Sequence, residues 1–281
     1  MQQLDRKYWI WFYALGIGLL FLAFFQLFSI HRDLEISILD VGQGDAILIQ
    51  TPEHHNILID AGPDSAVVDQ LGSRIGFFDK AIDLFVLTHP HRDHHGGILD
   101  VMQKYEIKKV LLTGAISKDP VYLAFLDEIR HRNIDILFNQ SHQDIQIGLN
   151  LYLDILYPFE GRGLVGQDVQ NKNNTSVVAR LVRRNLNGLE ALAMLTGDAE
   201  MEEEREILLS GQDVQSNTLK LGHHGSRTAT SDAFLAAVSP TIVIVSAGID
   251  NKFEHPHPET MEKVKDLDAR QTMDGAVEIV W

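Results

Sequence analysis

The run Leu87-Thr88-His89-Pro90-His91-Arg92-Asp93-His94-His95-Gly96-Gly97 places four donor side chains, His89, His91, Asp93 and His94, within six positions. Neutral imidazole and carboxylate are ligands that zinc and similar transition ions take, and a compact loop can aim some at one ion and some at a neighbour. Six of the thirteen histidines fall in two clusters, 89–95 and 223–224, which surface scatter rarely produces. The chain has no cysteine. Disulfides, thiolate ligands and a cysteine nucleophile are therefore excluded, and any metal is held by nitrogen and oxygen. Ser226 lacks the Gly-x-Ser-x-Gly context of a nucleophile elbow, so serine hydrolysis is not indicated.

Such a loop needs rigid elements on both sides to aim its donors. Leu84 to Leu87 reads as a buried strand before it, and Ile98 to Tyr105 as a helix after it. Upstream, Leu34 to Leu39, Ala46 to Gln50 and Ile57 to Ile59 read as strands joined by turns rich in Gly, Pro and Asn, an antiparallel start. Strands and helices then alternate: Val110 to Leu112 (strand), Val121 to His131 (helix), then Leu151 to Leu156, Ser176 to Val182 and Leu189 to Leu195 (strands). A helix over Ala199 to Leu209 and a strand at Thr218 to Leu221 follow. A helix at Asp232 to Val238, a strand at Thr241 to Ser246, a helix from Glu259 to Leu267 and a closing strand at Ala276 to Val280 complete the pattern. Two mixed sheets with helices outside accommodate this order.

The composition, 45% hydrophobic and 22% charged, is that of a folded body. A formal charge of -15 disfavours broad electrostatic capture of nucleic acid, although bound divalent cations add local positive charge that a sequence count omits. From Tyr8 to Ile30 the chain carries no charged side chain, a length that spans a bilayer as a helix. Tyr8, Trp9, Trp11 and Tyr13 gather at one end, Arg6 and Lys7 precede the run, and no small-residue cleavage site follows it. Residues 1–32 are thus expected to be an uncleaved membrane anchor, with 33–281 as one domain, extracytoplasmic by the positive-inside bias. The run Glu200, Glu202, Glu203 and Glu204 suits the start of a helix and reads as a solvated face. Arg180, Arg183 and Arg184 read as a strand edge in preference to a phosphate grip.

The His-x-His-x-Asp-His spacing resembles the metallo-β-lactamase superfamily. Within it, Leu39 to Ala46, Leu58 to Gly62, Asn173 to Ser176, Leu195 to Asp198, Leu219 to Ser226 and the tail His255-Pro256-His257-Pro258 are similar to the hydrolase domain of ComEC-type competence proteins, in the same order and over nearly all of residues 34–281. The multispanning channel of that family is missing. The resemblance implies an α/β fold, an αββα sandwich of two mixed sheets, preceded here by one transmembrane helix. By position, His89 and His91 bind one divalent ion, zinc or manganese, Asp93 and His94 bind a second, and Asp198 bridges the two. His224 completes the second ion's ligand set and His223 donates a proton or contacts substrate, with the reverse assignment open; Asp93, Asp198 and His223 are the catalytic set. Many members give the first metal a further histidine where this chain has Asn173, Asn174 and Ser176, so that ion is expected to be weak, water-rich or absent, and Asn173 and Ser176 to hold substrate oxygens. Asp60 orients a ligand from behind or simply makes a turn. Asp40, Gln43 and Asp45 line the cleft or support a Gly-rich turn. His255 and His257 approach from the C-terminal side or are exposed loop histidines.

A metal-activated hydroxide suits attack at phosphorus or at a carbonyl. The resemblance favours a membrane-anchored phosphodiesterase or nuclease acting on DNA, with single-stranded DNA as substrate. A small phosphoester hydrolase, such as a phosphocholine esterase, is the second reading, and a non-catalytic metal-binding accessory module of a competence or envelope assembly is the third.

Overall fold

The computed structural model describes residues 9, 11–19, 33–138, 143–162 and 164–281. Contacts divide the chain into two units, Met1–Asp33 and Leu34–Trp281. In the first, residues 11–19 are helical, and most of the apolar run 8–30 lies outside the described residues. Among the described residues, no helix is long and apolar enough to cross a membrane.

The second unit is a sandwich of two sheets. In the first, β1 (Glu35–Ile38), β2 (Ile47–Gln50), β3 (Asn56–Ile59), β5 (Leu84–Val86), β7 (Lys109–Leu112), β8 (Asp135–Phe138) and β16 (Val277–Val280) lie in the order β16-β1-β2-β3-β5-β7-β8. The second holds β9 (Gln143–Gln146), β10 (Leu151–Tyr157), β11 (Val178–Asn185), β12 (Gly188–Leu195), β13 (Thr218–Lys220), β14 (Ile242–Val245) and β15 (Asp268–Gln271), ordered β15-β14-β13-β12-β11-β10-β9. A small parallel pair, β4 (Ala81–Ile82) with β6 (Glu106–Ile107), stands apart.

Strand alternation explains the layers. Ile47 and Ile49 face the second sheet and share a core with Leu153, Ile155, Leu181 and Leu195. Between them, Leu48 points outward and packs with Leu71, Ile98 and Phe125, on helices α1 (Ala66–Gly72), α3 (Ile98–Lys104) and α4 (Pro120–Arg132). The second sheet is covered likewise, Met194 and Leu219 meeting Ile207 of α5 (Met201–Leu209) and Phe234 of α6 (Asp232–Val238). A core truncation such as Ile49→Ala costs about 2–5 kcal/mol in a layer this buried.

The expected elements are present with shifted ends. The last expected helix, Glu259 to Leu267, is shorter: α7 spans Pro258–Lys263, starting on Pro258 as a first-turn proline. Helix α1 and strands β8, β9 and β15 carry no expectation from the sequence. Strands β9 (QDIQ) and β15 (DARQ) are edge strands whose polar sequences lack an apolar alternation. One arrangement matters for function. Strands β3, β5, β12 and β13 all end at the same rim of the sandwich, where ligands characteristically bind in α/β sheets.

Candidate metal centre

Each expected donor leaves a strand end at this rim. After β5, Thr88 and His89 lead into the four-residue helix α2 (Arg92–His95), with His91 at its N-cap and Asp93 and His94 in its first turn. Asp198 follows β12 and His224 follows β13. The backbone at β13's end is unusual: His223 and His224 both hold positive φ, 47° and 55°. That conformation costs on the order of 1–3 kcal/mol per non-glycine residue, so the surrounding packing imposes it, and it turns the two rings to different sides. Gly44 lets the loop after β1 lie against the Asp93 backbone, where a Cβ would collide with the Asp93 carbonyl.

Asp93, His94, Asp198 and His224 converge, with one ligand atom from each lying within 4.8 Å of the others. His94 Nε2 is 3.2 Å, and His224 Nε2 3.5 Å, from Asp198 Oδ2, while His224 Nε2 is 3.5 Å from Asp93 Oδ2. His94, Asp198 and His224 are buried. Both imidazoles are held from behind. His94 Nδ1 is 2.7 Å from Asp60 Oδ2, and Asp60 in turn accepts from the Thr88 amide (2.8 Å) and hydroxyl (2.6 Å). His224 Nδ1 is 2.8 Å from the Ser246 carbonyl. A proton fixed on each Nδ1 leaves each Nε2 free to ligate.

The donor set fits a divalent cation. His94 Nε2, His224 Nε2 and Asp198 Oδ1 are buried without a hydrogen-bond partner among the described residues, a costly state for polar atoms unless something binds them. The electrostatics agree. Burial opposes charge on His94, yet the Asp198 and Asp60 carboxylates hold its imidazole well above the ordinary histidine range. Burial likewise opposes charge on His224, and Asp198 and Asp45 outweigh it in the same direction. Burial would raise the Asp198 and Asp93 carboxyls, but the facing imidazoles hold both well below the usual range, with His224 the leading partner of each. The cluster therefore demands positive charge, which protons or a metal ion can supply.

His89 and His91 lie beside this group and outside it. Their facing nitrogens, Nε2 and Nδ1, are 3.0 Å apart, and His89 Nε2 is 3.8 Å from Asp198 Oδ2. Burial depresses both imidazoles, so they are neutral and ligand-ready. Ser176 Oγ accepts from the Asp198 amide (3.2 Å) and lies 3.3 Å from His89 Nδ1, tying the two together.

A cleft of about 290 Å³ opens over these donors, lined by His91, Asp93, Asn173, Asp198, His223 and His255, among others. His223 stands at its wall, 25% exposed at the side chain, with Nε2 3.9 Å from Asp198 and Nδ1 3.1 Å from Glu200 Oε1. Asn173 presents a buried, unpartnered Oδ1 to the same space. His255 is buried and stacks on Phe253, and burial presses its imidazole down to about 4, so it is a neutral wall of the cleft and no exposed loop residue. Gln43 lines the cleft and accepts from the Gly248 amide. Asp40 and Asn174 serve the backbone: Asp40 accepts from the Gly42 amide in its own turn, and the Asn174 carbonyl accepts from Tyr157. Asp45 is buried behind the cluster, paired with Lys220 and 3.4 Å from His224 Nδ1.

The structure adds two residues and corrects two readings. Lys220 is fully buried, pairing with Asp45 and donating to the Gly197 carbonyl, a role without any sequence signal beyond one lysine at the end of an apolar strand. Glu200 carries the His223 contact. Its neighbours are no solvated face: Glu203 and Glu204 are buried, burial pushes both carboxyls up, and Glu204 accepts from the Thr230 and Ser231 amides. Arg180 is no exposed strand edge, being buried between Asp154 and Asp213. His131 lies in the last turn of α4, exposed, and His142 lies outside the described residues.

Residues 39–136, which contain the His89 to His94 loop, match the metallo-beta-lactamase superfamily model. That stretch is similar to the metallo-beta-lactamase superfamily. Its sequence is similar to ComE operon protein 3 of Bacillus subtilis (strain 168), 26% identical over 245 residues that cover 81% of this chain and 30% of that protein. It is also similar to competence protein ComA of Neisseria gonorrhoeae, 27% identical over 240 residues, 84% of this chain and 30% of that one. The chain thus spans about 30% of the length of these curated relatives. In structure, the chain is similar to CmlA, a diiron beta-hydroxylase from Streptomyces venezuelae, with a TM-score of 0.57 at 14% identity over 89% of this chain and 54% of that one, a likeness of fold.

Proposed function

We propose that this protein is a metal-dependent phosphodiesterase that cuts DNA, held to a membrane by residues 8–30 with its domain on the extracytoplasmic side. The observation that carries the catalytic reading is the convergence of Asp93, His94, Asp198 and His224 at the floor of an open cleft, with buried ligand atoms that have no hydrogen-bond partner among the described residues. The similarity to competence proteins supports DNA as the substrate class.

A divalent ion held by these four residues, with a second beside His89 and His91, would supply Lewis acidity toward a phosphoryl oxygen and would lower the pKa of water. The protein's own groups do the rest. Asp60 and Ser246 fix the rings of His94 and His224 so that no reorganisation is needed on substrate binding. Glu200 orients His223, whose Nε2 faces Asp198 across the cleft and is placed to hand a proton to a departing oxygen. Asn173 offers an amide to a substrate oxygen. Phe253 and His255 wall the space on one side.

The test is a substrate panel on the full chain in detergent, with manganese or zinc: labelled single-stranded DNA, bis-p-nitrophenyl phosphate and phosphocholine esters. DNA cleavage that is lost in Asp198→Ala supports the reading. Turnover of small esters alone reassigns the substrate to a small phosphoester, and metal uptake without turnover of any substrate leaves a binding module.

A further inference from the structure

We infer that Phe253, on the loop 248–255 at the mouth of the cleft, is a platform on which an unpaired nucleobase stacks while a neighbouring phosphodiester lies over the metal centre. The inference rests on the reading of this site as a DNA phosphodiesterase and deepens it, because it names what the cleft recognises in the substrate besides phosphate.

The loop is built to hold that ring in place. Gly248 lies so close to the loop after β1 that a Cβ there would come within 2.7 Å of the Gln43 amide nitrogen, and the Gly248 amide donates to Gln43 Oε1 at 3.2 Å. Within the loop, the Asn251 side chain closes the turn. Its Oδ1 accepts from the Phe253 amide (3.1 Å) and the His255 amide (3.0 Å), while its Nδ2 donates to the Gly248 carbonyl (2.9 Å) and to the His255 carbonyl. Asp250 and Glu254 hold positive φ, 51° and 58°, which non-glycine residues adopt only where their surroundings impose it. The ring that this order presents is 47% exposed and lines the cleft.

Ring contacts connect Phe253 to the metal centre. Phe253 and His255 are stacked, with 22° between their planes and centroids 5.7 Å apart. The His255 ring is in turn 6.1 Å from that of His224, a donor of the cluster, and 5.3 Å from that of His223. The platform is thus two ring contacts from the ion site, the kind of span that separates a phosphate from a base along a strand. In the same cleft wall, Gln43 Nε2 and Asn173 Oδ1 have no hydrogen-bond partner among the described residues, a donor and an acceptor that the edge of a base can use.

The charges around the ring favour stacking over a basic grip. The Lys252 ammonium is 4.8 Å from the Phe253 ring centre, but Asp250 and Glu254 are exposed on the same loop, which therefore carries more carboxylates than cations. Arg92, in the cleft lining, is 3.6 Å from Asp119. With a formal charge of -15, the protein draws little affinity from phosphate neutralisation by basic side chains. An aromatic face takes any base without charge, and such stacking outweighs an exposed cation–π contact, so the base displaces Lys252. Inside a duplex a base is stacked on both faces, and the platform therefore selects unpaired strands.

The test compares two substrates of equal length on the full chain in detergent with manganese: a short thymidine strand and an abasic strand with the same phosphodiesters. Phe253→Ala is expected to lower kcat/KM on the thymidine strand about tenfold more than on the abasic one, and Phe253→Trp to keep the wild-type preference. A second readout needs no turnover. With chelator present, 2-aminopurine in a short single strand should lose emission on binding wild type or Phe253→Trp, and less on binding Phe253→Ala. Equal losses of kcat/KM on the two strands, or the same emission with wild type and Phe253→Ala, overturns the inference and leaves the phosphodiesterase standing. A wild-type protein that loads metal and cleaves neither strand removes the phosphodiesterase reading and the platform together.

Discussion

Around Asp198 the donors divide into two unequal regions. On one side, His94 and His224 are fully buried and each is fixed through Nδ1, by Asp60 and by the Ser246 carbonyl. On the other, His89 and His91 face one another, His91 is half-exposed, and the neighbouring strand end supplies Asn173 and Ser176 where a further imidazole would complete a shell. The loop after β5 gives donors to both regions, and the difference teaches that the strength of an ion site follows from what fixes each ligand and from carboxylate charge more than from the number of histidines in a run. The His94–His224 side should hold its ion tightly, and the His89–His91 side should bind a second ion weakly.

Removing the shared carboxylate should erase the distinction. Asp198→Ala is expected to lower kcat/KM on the order of 1000-fold, the several kcal/mol that a Lewis acid contributes, and elemental analysis should find less than one ion per chain. Lys220→Met strips Asp45 of its buried partner behind the tight side, and breaking such a pair costs about 3–5 kcal/mol. Urea denaturation should report that loss, and adding Asp45→Leu to the same chain should recover part of it. Asp60→Asn keeps the shape but weakens the hold on His94, with an expected loss of about 10–100-fold in metal affinity by chelator competition.

Proton coupling sharpens the comparison further. In the ion-free protein, Asp198, Asp60 and Asp45 hold His94 and His224 well above the ordinary histidine range, so both carry protons at neutral pH. A cation must displace those protons. Loading is therefore expected to release protons at neutral pH and to weaken as pH falls, levelling off only above the raised range. Titration calorimetry in buffers of different ionisation enthalpy measures the release directly; an ion that binds with no proton released would contradict the paired charges. His89 and His91 are already neutral, and their ion should load with little release. The smallest effect is expected for His91→Ala, which should change affinity at the tight side less than about tenfold, below the Asp60→Asn loss. An effect as large as that of His224→Ala would break the comparison.

Much of this centre was legible in the chain because metal ligands cluster when one loop supplies them. His89 to His94 announce themselves by spacing, and Asp198 and the 223–224 pair by their places at strand ends. The residues behind them were not. Lys220 reads as one more residue of an apolar strand, and only its pairing with Asp45, across the two sheets, makes it part of the site. Glu200 reads as a helix-start carboxylate, and its contact with His223 exists because the turn after β13 adopts positive φ. Glu203, Glu204 and Arg180 looked solvated because charge predicts exposure when no partner is visible in sequence.

The sequence alone therefore determined the chemistry: oxygen and nitrogen donors, no thiol, apolar alternation that folds into two sheets, and a charge-free run at the N-terminus. Only tertiary structure decided which donors share an ion, which of His223 and His224 faces the cluster, and which loops wall the cleft. The physical reason is one of range. Propensity and periodicity act over a few neighbouring residues, whereas ligand geometry, buried-charge pairing and the common direction of strand ends arise between segments more than a hundred residues apart, which touch only after the sheets stack.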